Sequence, residues 1–243
     1  MKRRWRYGIL GAALVMGLGV AGYAAVPGYH RAATPAVFGL TKITPRLYTD
    51  NPDQAPQMTA MIAMAQAQSA KFFGARLSDP TYLICTTQAC ADTFALKPRA
   101  VALAGRAILV GPKGVNTMIL THETIHTDLH SAYQLRDIWD QRFPAWFDEG
   151  LASHLSNDTR LTNDPAPQWI TKTRARRAWG RLHATHDWRD TYGAAQSMVR
   201  LIESEIGRDG LRTLVARVAA GASFDAVLAK LRPALDAPQN AGQ

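Results

Sequence analysis

The chain has 243 residues, 47% hydrophobic and 19% charged, the ordinary composition of a globular protein. Its formal net charge is +9, yet Lys2, Arg3, Arg4 and Arg6 supply four of those charges within the first six residues. The +5 that remains is only mildly basic and gives nucleic-acid binding little support.

Behind that basic stretch, Tyr7 to Tyr29 carries no charge, and its apolar centre runs from Ile9 to Val20. The pattern is that of a secretory signal, with a small-residue cleavage site near Gly22-Tyr23-Ala24. The same run is long enough to serve as an uncleaved membrane anchor with its basic end inside. Residues 1–30 are therefore a signal peptide or an anchor. Either sends the rest of the chain across the membrane, to the periplasm or the outer face of the inner membrane.

Residues 31–53 contain Pro35 and Pro45 and few strong apolar groups, and read as a stem. The expected domain is 54–236, followed by a flexible tail at 237–243. Apolar groups at helical spacing predict a helix over 54–72. Thr81 to Cys85 and Ala107 to Val110 are short apolar runs suited to strands, with Pro98 and Gly105 marking turns between them. Cys85 and Cys90 form an even pair in an oxidising compartment, so a local disulfide is expected; two buried thiols are the alternative. Gly111-Pro112-Lys113-Gly114 then punctuates the chain before a helix over roughly 115–131. From 145 onward helices are expected at 145–155, 168–182, 191–206, 209–219 and 224–231, with Gly207 and Gly221 at helix ends. The implied fold class is α+β: a small mixed sheet with an active-site helix, followed by a helical half.

The chemistry starts where the two halves meet. His122-Glu123-Thr124-Ile125-His126 is an H-E-x-x-H motif. On an α-helix four residues advance about 400°, so the two imidazoles lie ~40° apart on one face, one turn from each other. A single Zn²⁺ can then accept both nitrogens at about 2.0–2.1 Å. Glu123, rotated around the helix, does not share the ion easily but reaches a water beside it, and can take that water's proton during attack on a carbonyl. With seven His and four Glu in the chain, chance would produce this pattern on the order of a few times in a thousand. The bland reading is a pair of satisfied core histidines.

A catalytic ion needs a third protein ligand, and Pro144-Ala145-Trp146-Phe147-Asp148-Glu149-Gly150-Leu151-Ala152 supplies the candidate. The segment resembles the gluzincin group of zinc peptidases, in which a second helix returns a Glu to the H-E-x-x-H helix, within a pattern P-x-W-h-x-E-G-h-A where h is apolar. That resemblance, strongest over 119–152, implies a zincin-like fold and makes Glu149 the third ligand, with one Zn²⁺ per chain. Alternatives are weaker. A metzincin would need His at 132, where Ala132 stands; Asp128 is on the same helix and too close; His130 lies on a drifting face. Asp148 is the main rival, because a one-residue shift turns a helix face by ~100°, but it is better suited to accept a ligand histidine's N–H. The resemblance also offers Tyr192, near the start of a later helix, as a donor to a developing oxyanion. An ordinary aromatic packing on the core is the equal alternative.

The basic run Lys172 to Arg181, with Trp169, Trp179 and Trp188 nearby, reads as a solvated helix face rather than a nucleic-acid or lipid patch. His183 and His186 read as surface or substrate-side groups. No phosphate loop, G-x-S-x-G or catalytic cysteine context is present. The sequence thus implies a zinc metallopeptidase of the envelope that acts on a peptide or protein substrate and not on nucleic acid, touching the membrane through its N-terminal segment if that is uncleaved. A catalytically inactive zinc-binding module and a cell-wall amidase are the other readings.

Overall fold

The computed structural model describes residues 29–232, apart from 104, 135–136, 138–140 and 183. The proposed signal or anchor, the tail and His183 lie outside the described residues. Among the described residues no helix is long and apolar enough to cross a membrane.

A five-stranded mixed sheet lies in the N-terminal half. Its strands are β1 (Thr41–Thr44), β2 (Leu47–Thr49), β3 (Thr81–Ile84), β4 (Ala100–Leu103) and β5 (Ala107–Val110). Their order is β1-β2-β3-β5-β4, with β2, β3 and β5 parallel and the two edges antiparallel to their neighbours. The central strands are apolar on both faces because both are covered. Tyr82, Ile84, Ile108 and Val110 meet Met58, Ile62 and Leu120 from two helices, α1 (Ala55–Phe73) and α3 (Thr117–Leu129). Leu83 and Leu109 point the other way, onto Leu40, Ala91, Phe94 and Leu96.

The stem expected at 31–53 is corrected by this arrangement. Leu40 and Leu47 are each 3% exposed and Thr49 is fully buried, so the domain reaches back through β1 and β2. Unlike the apolar runs of β3 and β5, Thr-Lys-Ile-Thr and Leu-Tyr-Thr are mixed in polarity and give no run to read. The edge strand β4 and the short α2 (Gln88–Thr93) were likewise unanticipated. Thr87 caps α2 by accepting from the Cys90 amide, and the Cys85–Cys90 disulfide ties α2 to the end of β3. A disulfide of this kind indicates an oxidising, extracytoplasmic location.

The helical half contains α4 (Ala145–Leu155), α5 (Arg176–Leu182), α6 (Trp188–Ala219) and α7 (Phe224–Leu231). Gly207, at φ 73° and ψ 170°, breaks α6 into the two segments that the sequence suggests. The helix expected at 168–182 is instead a 3-10 turn (Pro167–Lys172) followed by α5, because Thr173 turns both its amide and its hydroxyl back onto the Ile170 carbonyl. Phe143, Trp146, Phe147, Leu151, Val199, Leu211 and Phe224 form the core of this half, and Ile125 and Leu129 of α3 join it. The helix α3 is therefore sandwiched between sheet and helical half, with Ile119 to Leu129 buried without a break.

Helices α4 and α6 approach closely because residue 150 has no side chain: a Cβ there would lie 2.4 Å from the Ala195 carbonyl oxygen. Backbone cannot yield as a flexible side chain does. Gly150→Ala is therefore expected to destabilise the domain by about 1–3 kcal/mol, as overpacking does. Urea unfolding checks this, and an unchanged midpoint would refute the tight approach.

Candidate metal centre

Helix α3 begins at Asn116, whose side chain accepts from the Ile119 amide, and this cap fixes the phase of the helix. Its polar residues away from the site are satisfied within the fold. Thr124 bonds the Leu120 carbonyl and meets the Tyr82 hydroxyl at 3.0 Å. Asp128 accepts from Ser69, from the Ser78 amide and hydroxyl and from the Leu77 amide, so its carboxylate is a structural anchor. That removes it from the list of ligands.

One turn apart, His122 and His126 bring their Nε2 atoms to 3.1 Å. From α4, Glu149 Oε2 completes the triangle at 3.5 Å from His122 Nε2 and 3.4 Å from His126 Nε2. All three residues are buried. Two imidazoles and a carboxylate converging on one point are stabilised by a positive charge among them, either a proton that makes the His–Glu contacts ion pairs or a bound cation. Donors held at about 2.0–2.1 Å around a tetrahedral first-row ion stand about 3.3–3.4 Å apart, and the observed edges match. These residues could hold a metal ion.

The neighbouring Asp148 orients the set rather than joining it. Its Oδ1 lies 2.7 Å from His126 Nδ1 and its Oδ2 2.8 Å from His130 Nε2. With Asp148 against Nδ1, the Nε2 of His126 is turned towards Glu149. The guanidinium of Arg176 in α5 donates to the same Oδ2 at 3.1 Å and stands 3.9 Å from Glu149 Oε1. His126, His130 and Asp148 also lie close enough to form a metal-binding group of their own. With both Asp148 oxygens engaged and Arg176 beside them, a second cation there would meet a positive neighbour. Burial alone would raise the Asp148 carboxyl, but His130 and His126 more than offset it and hold it well below the usual range. Glu149 is likewise held low against its burial, by His126 and His122. Both carboxylates are also in or just after the first turn of α4, where the helix dipole favours negative charge.

Beside this triangle opens a cleft of about 390 Å³, lined by His122, Glu123, Tyr192, Trp188 and Arg160 among others. Burial raises the Glu123 carboxyl, and Glu149 adds to the rise; His122, His126 and the backbone of Ala102 in β4 pull the other way. Tyr192, near the start of α6, lies with its ring 6.3 Å from that of His122 and accepts a hydrogen bond from Trp179. The Glu149 charge, then burial, then the Glu123 charge hold its hydroxyl in the protonated form.

The structure brings His122, His126 and Glu149 together, with Asp148 behind them and Glu123 and Tyr192 on the cleft, while the Cys85–Cys90 pair lies apart from them at the end of β3. Arg176 and the role of His130 were not foreseen. Arg176 belongs to the basic run expected to be a solvated face, and nothing in that run's composition distinguishes it from Arg174, which pairs with Asp225 at the surface. His186 stacks on Trp169, with ring centroids 5.2 Å apart, and is exposed.

Compared with protein families, with curated proteins and with solved structures, the chain matches none.

Metal titration tests the centre directly. His122→Ala and Glu149→Gln are expected to abolish stoichiometric binding in competition with a chromophoric chelator. Asp148→Asn is expected to weaken it about 10–100-fold, as losing the partner that orients a ligand histidine does. Undiminished affinity in the first two variants would remove them as ligands.

Proposed function

We propose that the chain is a zinc-dependent peptide hydrolase of the gluzincin kind, built on a zincin-like fold and working in the periplasm or at the outer face of the inner membrane. The observation that carries this reading is the donor triangle of His122, His126 and Glu149, opening onto a cleft that also holds a buried carboxylate and a protonated tyrosine. Two imidazoles and one carboxylate leave a coordination position open, the pattern of hydrolytic rather than structural zinc sites. Zinc held there would polarise a scissile carbonyl and bring a water into the ionisable range near neutral pH.

The chain's own groups carry the remaining steps. Glu123 takes the proton of the attacking water and passes it to the departing amine, a role that its upward-shifted carboxyl suits because it can both accept and release the proton. Tyr192 keeps its proton and donates to the oxygen on which negative charge develops. Asp148 holds His126 in one tautomer, and Arg176 fixes Asp148 in turn. Strand β4 is one of the two edges of the sheet; Ala100 lines the cleft and the Ala102 backbone bonds Glu123. An extended peptide laid along such an edge would enter the cleft beside the general base, which favours a peptide as the substrate.

Glu123→Gln should retain one zinc per chain while hydrolysis falls on the order of 10²–10⁴-fold, the usual contribution of a general base. Tyr192→Phe should lower kcat about 10²–10³-fold with KM and metal content little changed, as expected for a lost oxyanion donor. Cleavage of casein with and without chelator, alongside elemental analysis, supplies the measurement. Normal turnover by the Glu123 variant would refute the role. Bound zinc without chelator-sensitive cleavage would favour a non-enzymatic envelope module. Cleavage of a cell-wall amide in place of protein would keep the chemistry and change the substrate.

A further inference from the structure

The far wall of the cleft carries three cations, Lys97, Arg99 and Arg160, beside one carboxylate, Asp158. Lys97 and Arg99 line it, are exposed, and have no carboxylate ion-pair partner among the described residues. Arg160 lines it as well, and its guanidinium is held by Asp158 at 2.6 Å. Three guanidinium groups converge on the ring of Trp188, another wall residue: Arg189 at 4.8 Å, Arg160 at 5.3 Å and Arg99 at 5.9 Å from its centroid. Arg160 and Arg189 are paired with Asp158 and Asp187, at 2.6 and 3.9 Å, which leaves Arg99 as the guanidinium of the three with no carboxylate against it among the described residues and so open to an anionic ligand.

These cations are also held in place before any ligand arrives. The Arg99 carbonyl accepts from the Gly111 amide at 2.8 Å, and its guanidinium donates to the Lys113 carbonyl at 3.3 Å. A Cβ on Gly114 would lie 2.2 Å from that Arg99 carbonyl oxygen, so the segment 111–114 is the mould against which 97–99 is set. A smaller cavity on the other side of 97–99 adds Lys113 to the same basic surface. The loop bearing Asp158 and Arg160 is pinned to α6: Gln196 donates to the Asp158 carbonyl, the Thr162 hydroxyl to Asp190 at 2.8 Å, and the Asp164 amide to the Ser197 hydroxyl. Gly193 lets that loop lie against the helix, since a Cβ there would lie 2.0 Å from the Thr162 carbonyl oxygen.

We propose that Lys97 and Arg99 select substrates carrying carboxylates beside the scissile bond. The ligand is an acidic peptide segment or a chain end with its free terminal carboxylate. This inference rests on the hydrolase reading for its word "substrate", but the binding it asserts is testable without turnover.

The probes are short unstructured peptides identical except for Glu against Gln at positions flanking one bond, each with a free and an amidated C-terminus. Their binding to the full-length Glu123→Gln protein is followed by fluorescence anisotropy, with metal present and after chelation, and kcat/KM is measured on the wild type. We expect a preference for the Glu peptide on the order of tenfold, the low end of what charge steering provides, declining as salt rises. Lys97→Gln/Arg99→Gln should abolish it and Lys97→Glu/Arg99→Glu should reverse it, while Lys42→Gln/Lys230→Gln, on exposed surface elsewhere, should leave it intact. Sensitivity to amidation would assign the anion to the chain end, and insensitivity to side chains. Equal affinity for Glu and Gln peptides with both termini, or a preference that survives in the folded double variant, would overturn the proposal. A charge preference without cleavage would sink the hydrolase reading and leave this one standing; chelator-sensitive cleavage of both peptides with equal kcat/KM would do the reverse.

Discussion

The constraint on which this structure turns is that two imidazole nitrogens and a carboxylate oxygen are forced to within 3.5 Å of one another in the protein interior. All three are largely buried, and only the side facing the cleft that His122 lines is open. Asp148 holds the far side of His126, Arg176 holds Asp148, and α3 is buried along most of its length. A cluster so confined is stabilised by a proton on one of its histidines or by a cation bound among its donors. The two halves of the fold meet at that point, since α3 packs on the sheet while α4 brings Glu149 from the helical half.

The packing elsewhere is what gives the site its small tolerances. Tyr82 meets Thr124 from the sheet side, and Ser69 and Ser78 fasten Asp128 from the end of α1 and the loop that follows it. On the opposite side Gly150 allows α4 to sit against α6 at a distance that any larger residue would prevent. The glycine that follows Glu149 thus has a mechanical reason. It sets the depth of α4, and with it how far the Glu149 carboxylate extends towards α3.

What the sequence discloses is what local periodicity and spacing encode. The helices containing His122 and Glu149, the strands at 81–84 and 107–110, and the break at Gly207 follow from apolar spacing and glycine placement, and the described elements fall close to those positions. The hidden parts depend on contacts between distant segments. β3 and β5 are no longer than β1 and β4 but carry larger apolar side chains, whereas β1 (Thr-Lys-Ile-Thr) and β2 (Leu-Tyr-Thr) are mixed and β4 (Ala-Val-Ala-Leu) is half alanine, so these three acquire strand character only by pairing. Arg176 was indistinguishable from its basic neighbours until α5 folded over Asp148. The bond of His130 to Asp148 depends on which face α4 presents, and that in turn depends on the approach of α6 to Gly150. The Gly111 to Gly114 segment read as punctuation; its second function, shaping the backbone at Arg99, exists only once β4 and β5 have paired.

Charge ties the site together. Glu123, Asp148 and Glu149 place three carboxylates in one buried region, against the single guanidinium of Arg176, while Asp158 is taken up by Arg160. If the histidines are neutral, as ligation requires, two negative charges remain uncompensated, and a divalent cation would cancel them. That balance also bears on the cleft wall. With a cation bound in the triangle, the positive charge of Lys97 and Arg99 would not be drawn on by Glu149 and its neighbours, and would stay free to act on whatever enters. A net-negative centre would have drawn on the same cations and repelled an acidic substrate; a neutral one lets the basic wall set the preference.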